Sequence, residues 1–205
     1  GEIAARAQAT NWSLEDIFFD VQAWLVNELA REFGAKEAKA FIDGDGANKP
    51  TGLLNGTTIG VVKTGVAGAF GANPYDNIID LITAVKGEYQ ANANFVMNTK
   101  TFASLIKVKD TTGAYLFPQN LSGKLEQSIL GYAVNIDDQM PDVAANAKSI
   151  LFGDFARGYL IADRIGMSLL VNPYKTSGLV EFEGRKRVGG IVKDADALRA
   201  LHFAA

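Results

Sequence analysis

Few residues in this chain could carry chemistry. A single histidine, His202, lies between Leu201 and Phe203 near the end of the sequence. A histidine in an apolar strand is a packed or edge residue far more often than a base. No Gly-x-Ser-x-Gly elbow occurs, so triad hydrolysis has no sequence support. Cysteine is absent, which removes disulfides, thiolate metal sites and thiol catalysis together. Two acidic pairs, Asp137-Asp138 and Glu181-Glu183, could divide acid and base roles only inside a pocket that separates their pKa values. Without one they read as solvated surface. Arg185-Lys186-Arg187 is a short basic run beside Glu181 and Glu183, which reads as a strand with charged exposed positions more than as a phosphate site.

The segment from Asp43 to Gly52, which contains Gly44, Asp45, Gly46 and Pro50, is dense in turn formers. A calcium loop starting at Asp43 would want an oxygen ligand where Ala47 stands and a closing glutamate where Leu54 stands. A phosphate loop would want Ser or Thr after Lys49, where the chain has Pro50. The segment is therefore expected to be a structural corner. No cofactor and no metal are expected.

Composition narrows the function further. The 205 residues include 20 basic and 23 acidic side chains for a net charge of −3, intermixed along the chain. That balance offers no cationic stripe for duplex binding. Trp12 and Trp24 are not interleaved with basic residues, so no stacking platform for single strands is expected. The most apolar stretch, Ser149 to Leu170, is broken by Asp154, Arg157, Asp163 and Arg164, which excludes a membrane helix there. The 48% of hydrophobic residues is ordinary for a chain that folds around a core.

The elements that must position these residues follow from periodicity. Ser13-Leu14-Glu15-Asp16 reads as a helix start. Ile17, Val21, Trp24, Leu25, Leu29 and Phe33 then recur at helical spacing, and the pattern resumes after Gly34 at Ala38, Phe41 and Ile42. This predicts a long spine helix with a bend or break at Gly34. Thr57 to Lys63 reads as a strand. A helix capped by Asn73 with Pro74 in its first turn is predicted through Tyr89. Asn94 to Asn98 follows as a strand, with a helix capped by Thr99 to about Lys107. The turn from Asp110 to Gly113 leads into Ala114 to Phe117, and Ile129 to Ile136 reads as one strand. Six further strands are predicted, at 149–152, 158–162, 167–171, 178–182, 188–192 and 197–203. A long helix, a mixed middle and a β-rich end predict an α+β fold.

Taken in order, these phrases resemble the Hong Kong 97 family of tailed-phage major capsid proteins. The resemblance runs through Ala40 to Gly46, then Pro50 and Gly52-Leu53-Leu54, Asn94 to Asn98, and Lys109-Asp110-Thr111-Thr112-Gly113-Ala114-Tyr115-Leu116. It continues through Leu130 to Val134, Met140-Pro141, Leu151-Phe152-Gly153-Asp154-Phe155-Ala156-Arg157-Gly158-Tyr159, and Arg187-Val188-Gly189-Gly190. The resemblance implies a Hong Kong 97-like capsid fold with a long spine helix, a peripheral β-rich domain and an axial mixed α/β domain. The peripheral domain would comprise 12–45 and 148–186, and the axial domain 46–147 and 187–205.

The function implied is that of a major capsid protein. Copies would assemble as pentamers and hexamers of an icosahedral head, enclosing DNA without sequence-specific binding. The resemblance implies no catalytic residue and no membrane contact. Scaffold, protease or portal proteins are further possible partners, and the place of action would be the virion, after synthesis in the cytoplasm of a bacterial host. Gly44, Asp45, Gly46, Pro50, Gly52, Asp110, Gly113, Gly153, Asp154, Arg187 and Gly189 would be fold-signature positions. Members carry an N-terminal arm and an extended loop ahead of the spine helix. Here residues 1–11 stand in that place, so the sequence reads as a processed or truncated form that folds yet assembles poorly alone. An encapsulin-type nanocompartment shell shares the implied fold and stays open as an alternative, with a small α+β enzyme more distant.

Overall fold

The computed structural model describes residues 1–10, 21–55, 59–71, 73–109, 115 and 128–205. In chain order these form β1 (Glu2–Thr10), α1 (Val21–Asp43), β2 (Gly60–Lys63), α2 (Pro74–Thr83), α3 (Gly87–Gln90), β3 (Asn94–Met97) and α4 (Thr99–Ile106). They continue with β4 (Ser128–Ile129), β5 (Tyr132–Ile136), β6 (Lys148–Gly153), α5 (Phe155–Gly158), β7 (Tyr159–Thr176), β8 (Leu179–Val192) and β9 (Leu198–His202). The fold is α+β. Two units are distinguished, Gly1–Asn55 with Ile161–Ile191, and Gly56–Leu160 with Val192–Ala205.

In the first unit, β1, β8 and β7 form a three-stranded sheet in that order. β1 runs antiparallel to β8 from Glu2 opposite Arg187 to Thr10 opposite Leu179. Side chains alternate across a strand, and one face of the sheet is apolar. There Val180 and Phe182 of β8 meet Leu29 and Phe33 of α1, with Ile3, Ala5, Ala7 and Ala9 of β1 packed alongside. The Phe33 ring occupies the space that a side chain at Gly184 would need. Over its 23 residues α1 is continuous, a length of about 35 Å at 1.5 Å per residue. The expected break at Gly34 is absent. Ala23, Ala30, Ala35, Ala38 and Ala40 supply strong helix propensity around it, and one glycine costs a helix only about 1 kcal/mol.

The second unit is built on a six-stranded mixed sheet with the order β2-β9-β6-β3-β5-β4. β9 runs parallel to β2 and antiparallel to β6, while β3 runs parallel to β5. β6 is buried from Ser149 to Gly153. A strand covered on both faces needs a continuous apolar run instead of alternation, and Ile150-Leu151-Phe152 provides it. Phe95, Met97, Ile150, Phe152, Leu201 and Phe203 form the core together with Ile78 and Leu81 of α2 and Leu105 of α4. Phe95 and Phe152 have ring centroids 4.5 Å apart, and Tyr132 meets Phe152 edge-on at 5.1 Å.

Several boundaries differ from the sequence expectation, each for a local reason. α2 ends at Thr83 and the chain restarts as α3. The Gln90 side chain donates to the carbonyls of Ile82 and Val85, which satisfies the helix end. Asn73 precedes Pro74 as expected but makes no side-chain cap bond. The cap of α4 is Asn98, not Thr99, with Asn98 Oδ1 accepting from Thr101 N–H at 2.6 Å. The single strand expected at 129–136 is a hairpin of β4 and β5, because Leu130 and Gly131 take φ of 51° and 84°. Positive φ at both central residues is the geometry that returns a strand on itself. The strands expected at 158–162 and 167–171 merge into β7, and those at 178–182 and 188–192 into β8. Gly178 at φ 81° turns one into the other.

The unit boundaries also fall elsewhere than the sequence reading drew them. Residues 148–160 lie in the second unit, because β6 pairs with β3 and β9. Residues 46–55 and 187–191 lie in the first. Residues 1–10 are not a loose arm there but include a paired strand. The expected helix start at Ser13, Trp12, the turn carrying Asp110 and Gly113, and the strand at 114–117 apart from Tyr115 lie outside the described residues.

Candidate functional site

The Asp43–Gly52 corner follows directly from the end of α1. Gly46 and Asn48 take φ of 77° and 59°, conformations that glycine and asparagine tolerate best. Asp45 Oδ1 accepts from Ala47 N–H at 3.0 Å, and Lys49 Nζ stands 3.7 Å from Asp45 Oδ2. Gly52 N–H donates to Gly44 O at 2.8 Å, while Leu53 and Leu54 donate back to Phe41 and Ile42 at 2.8 and 2.9 Å. These bonds fill the carbonyl acceptors that a helix leaves open at its end. Side chains at Gly44 or Gly52 would overlap this backbone crossing, and Pro50 supplies one of the carbonyl oxygens against Gly44. Asn55, which sequence reasoning saw only as part of a turn signal, donates to Asp43 O and Oδ1 at 3.1 and 3.0 Å. The Asp43 and Asp45 side chains are thus engaged within the corner itself.

In the second unit, Gly153 ends β6 at φ 144°, and a Cβ there would overlap the carbonyl of Ala197. Asp154 then receives the amides of Ala156 and Arg157 on Oδ1 at 3.0 and 3.2 Å, and its own N–H donates to Ala197 O at 3.0 Å. The Gly-Asp step is a backbone crossing closed by a cap. His202 in β9 sits with Nε2 3.1 Å from Asn146 O, a distance at which the ring donates to that carbonyl. Asp137 accepts from Gln139 N–H and Asp138 from the Thr99 hydroxyl, so this acidic pair is engaged in local turns.

The acidic pair and basic run of β8 are brought together on one sheet. Alternation sends Glu181, Glu183, Arg185 and Arg187 to the face opposite α1. Lys175 Nζ lies 2.8 Å from Glu181, Arg185 2.7 Å from Glu183, and Arg187 3.3 Å from Glu2 of β1. Arg6 reaches both glutamates, at 3.8 and 3.5 Å. The hydrogen bond from Arg185, with help from Arg6, holds the Glu183 carboxyl below its ordinary value. Lys186 points the other way, toward the spine helix, and pairs with Glu37 at 2.8 Å. That hydrogen bond raises the Lys186 pKa although burial opposes it. Gly189 approaches Ala162 of β7. The run is consumed in ion pairs within the sheet.

Elsewhere in the second unit, Tyr89 donates to Asp194 at 2.8 Å, which lowers the Asp194 pKa and pushes the tyrosine to about 12. Asp142 is lowered by Lys100 first and by Asn98. None of these groups converges with another on a shared recess. Among the described residues no cluster of three or more ligating side chains could hold a metal ion, and no helix is long and apolar enough to cross a membrane.

A continuous spine helix on a β-sheet, a buried mixed sheet, and polar groups spent on turns and ion pairs define a structural protein of the Hong Kong 97-like capsid fold. The chain belongs to the phage capsid family, whose model matches residues 1–203. It is similar to the capsid of an empty GTA particle at 44% identity and a TM-score of 0.93, covering 100% of this chain and 73% of that one. The capsid of a native GTA particle is similar to the same degree, with 72% of that chain covered. A holo-encapsulin complex from Synechococcus elongatus is similar in fold, with a TM-score of 0.72 at 15% identity, over 100% of this chain and 74% of the other. Comparison with the curated proteins finds no match. The chain is a major capsid protein, a structural subunit of a virion shell.

Proposed function

We propose that copies of this chain associate into pentamers and hexamers of an icosahedral head that encloses DNA. The observation that carries this reading is the 44% identity, over the whole chain, to the capsid of a GTA particle. The charge pattern supports a wall that does not grip nucleic acid. The net charge is −3, and Arg185, Lys186 and Arg187 are each paired with a carboxylate of the same unit, so few cations are left to displace counterions. In this reading the first unit is the peripheral domain and the second the axial domain. The fold-signature residues act by holding backbone crossings, and the protein has no catalytic task. Scaffold, protease and portal proteins would be its transient partners, and synthesis would take place in the cytoplasm of a bacterial host.

Electron microscopy of the purified shell protein, followed by nuclease treatment and extraction, tests the reading. Icosahedral particles with protected DNA are expected. Particles filled with a protein cargo and free of DNA would favour the encapsulin-type compartment, and a protein that forms no particle would sink the shell assignment.

A further inference from the structure

The strand order β1-β8-β7 leaves β7 as an outer strand of the first unit's sheet. From Met167 to Tyr174 the sequence Met-Ser-Leu-Leu-Val-Asn-Pro-Tyr contains no charge. Leu169 packs toward the α1 cluster, but Leu170 is 59% exposed and Tyr174 93% exposed, with Met167 and Val171 also exposed. A tyrosine presents about 150–250 Å², so this strip approaches the size at which an exposed apolar patch on a soluble chain signals a partner. Outer strands are ordinarily guarded by charge. The nearest charge, Lys175, is drawn to Glu181 at 2.8 Å.

The chemistry at the end of β7 also decides how a partner can bind. Pro173 has no N–H to give. The next donor, Tyr174 N–H, is taken by Asn172 Oδ1 at 3.0 Å. An added strand would find no donor at either residue, so contact there is made by side chains.

We infer that the end of β7 docks, with Tyr174 as its anchor and Leu170 and Val171 beside it, against an apolar recess on a second copy of this chain. The inference rests on the shell reading, under which a subunit's neighbours are copies of itself. Two copies of net charge −3 repel one another, and an uncharged contact strip avoids adding like charges across the joint. Tyrosine is also the residue type that anchors such contacts, combining a large apolar ring with a hydroxyl that finds a partner on burial.

The test uses the full-length protein in its assembled shells. A benzophenone amino acid placed at position 174 is irradiated in shells made from isotopically mixed light and heavy subunits. Mixed-isotope crosslinked peptides, which require two copies, are expected. Tyr174→Ser, and separately Leu170→Ser, should raise the protein concentration needed for assembly at least about tenfold, with an unchanged circular dichroism spectrum and melting temperature. Crosslinks confined to one copy or to another protein overturn the docking while leaving the shell reading intact. So does unaltered assembly of both variants beside wild-type shells. Failure of the wild-type protein to form any shell overturns the shell reading itself.

Discussion

The two units solve the burial problem differently. The second encloses central strands on both faces, and Phe95, Phe152, Ile150, Met97 and Leu201 are all inaccessible to solvent. The first lays a single helix on one face of a three-stranded sheet. Its buried apolar cluster is limited to Leu29, Phe33, Val180 and Phe182, and its other face carries Arg6, Glu181, Glu183 and Arg185. Local stability follows the number of buried apolar contacts. The second unit should therefore hold its structure by its own core, while the first keeps broad surface free for contact. Under the capsid reading that surface is where neighbours are met.

The contrast can be broken or sharpened by substitution, with hydrogen exchange reading each unit separately. Phe152→Ala should have the largest effect, a loss of about 3–5 kcal/mol in the second unit, seen as faster exchange of the β3, β6 and β9 amides. Phe33→Ala should cost the first unit less, about 2–3 kcal/mol, because its cluster is smaller and open at one side. An equal loss would show that the first unit is as tightly packed as the second. Gly153→Ala forces a left-handed-side conformation and an overlap with Ala197, and should cost about 2 kcal/mol, measured by chemical denaturation. Asp154→Ala removes the cap of α5 and should cost about 1 kcal/mol, with Asp154→Asn retaining most of the wild-type stability.

The smallest effect expected is on the acid limb. Asp142, Asp194 and Asp196 in the second unit and Glu183 in the first are all held below their ordinary values by hydrogen-bonded partners. A carboxyl lowered on folding contributes stability that is fully present above its unfolded pKa, near 4, and is lost as pH falls through the lowered folded value. Melting temperature should thus be flat above about pH 5 and decline below pH 4. Lys100→Met should weaken the decline traced to Asp142, and a flat acid limb in the wild-type protein would show that these bonds do not persist in solution.

Much of the local structure was legible in the residues. The Asp43–Gly52 corner, the proline at the start of α2 and the apolar run of β6 each have a short-range cause. Where the sequence misled, a side chain several residues away had the deciding role. Gln90 closes α2 at Thr83, and Leu130 accepts a positive φ that its residue type disfavours. The candidate chemistry was harder to read. Glu181-Glu183 and Arg185-Lys186-Arg187 are separate charge runs on paper, and their meaning depends on partners from Arg6, Glu37, Asp163 and Lys175.

Composition and periodicity by themselves determined that this chain is α+β, has a long helix ahead of a β-rich end, and lacks the residues of a thiol or triad enzyme. These are properties of neighbours within one or two turns or along a single strand. Only the tertiary structure decided that β1 pairs with β8 across most of the chain length and that β6 joins β3 and β9. Backbone hydrogen bonds between distant strands carry little sequence code, because the peptide groups are alike whatever side chains they bear. Partner and register are set by which faces must be buried together, and that is a property of the whole chain.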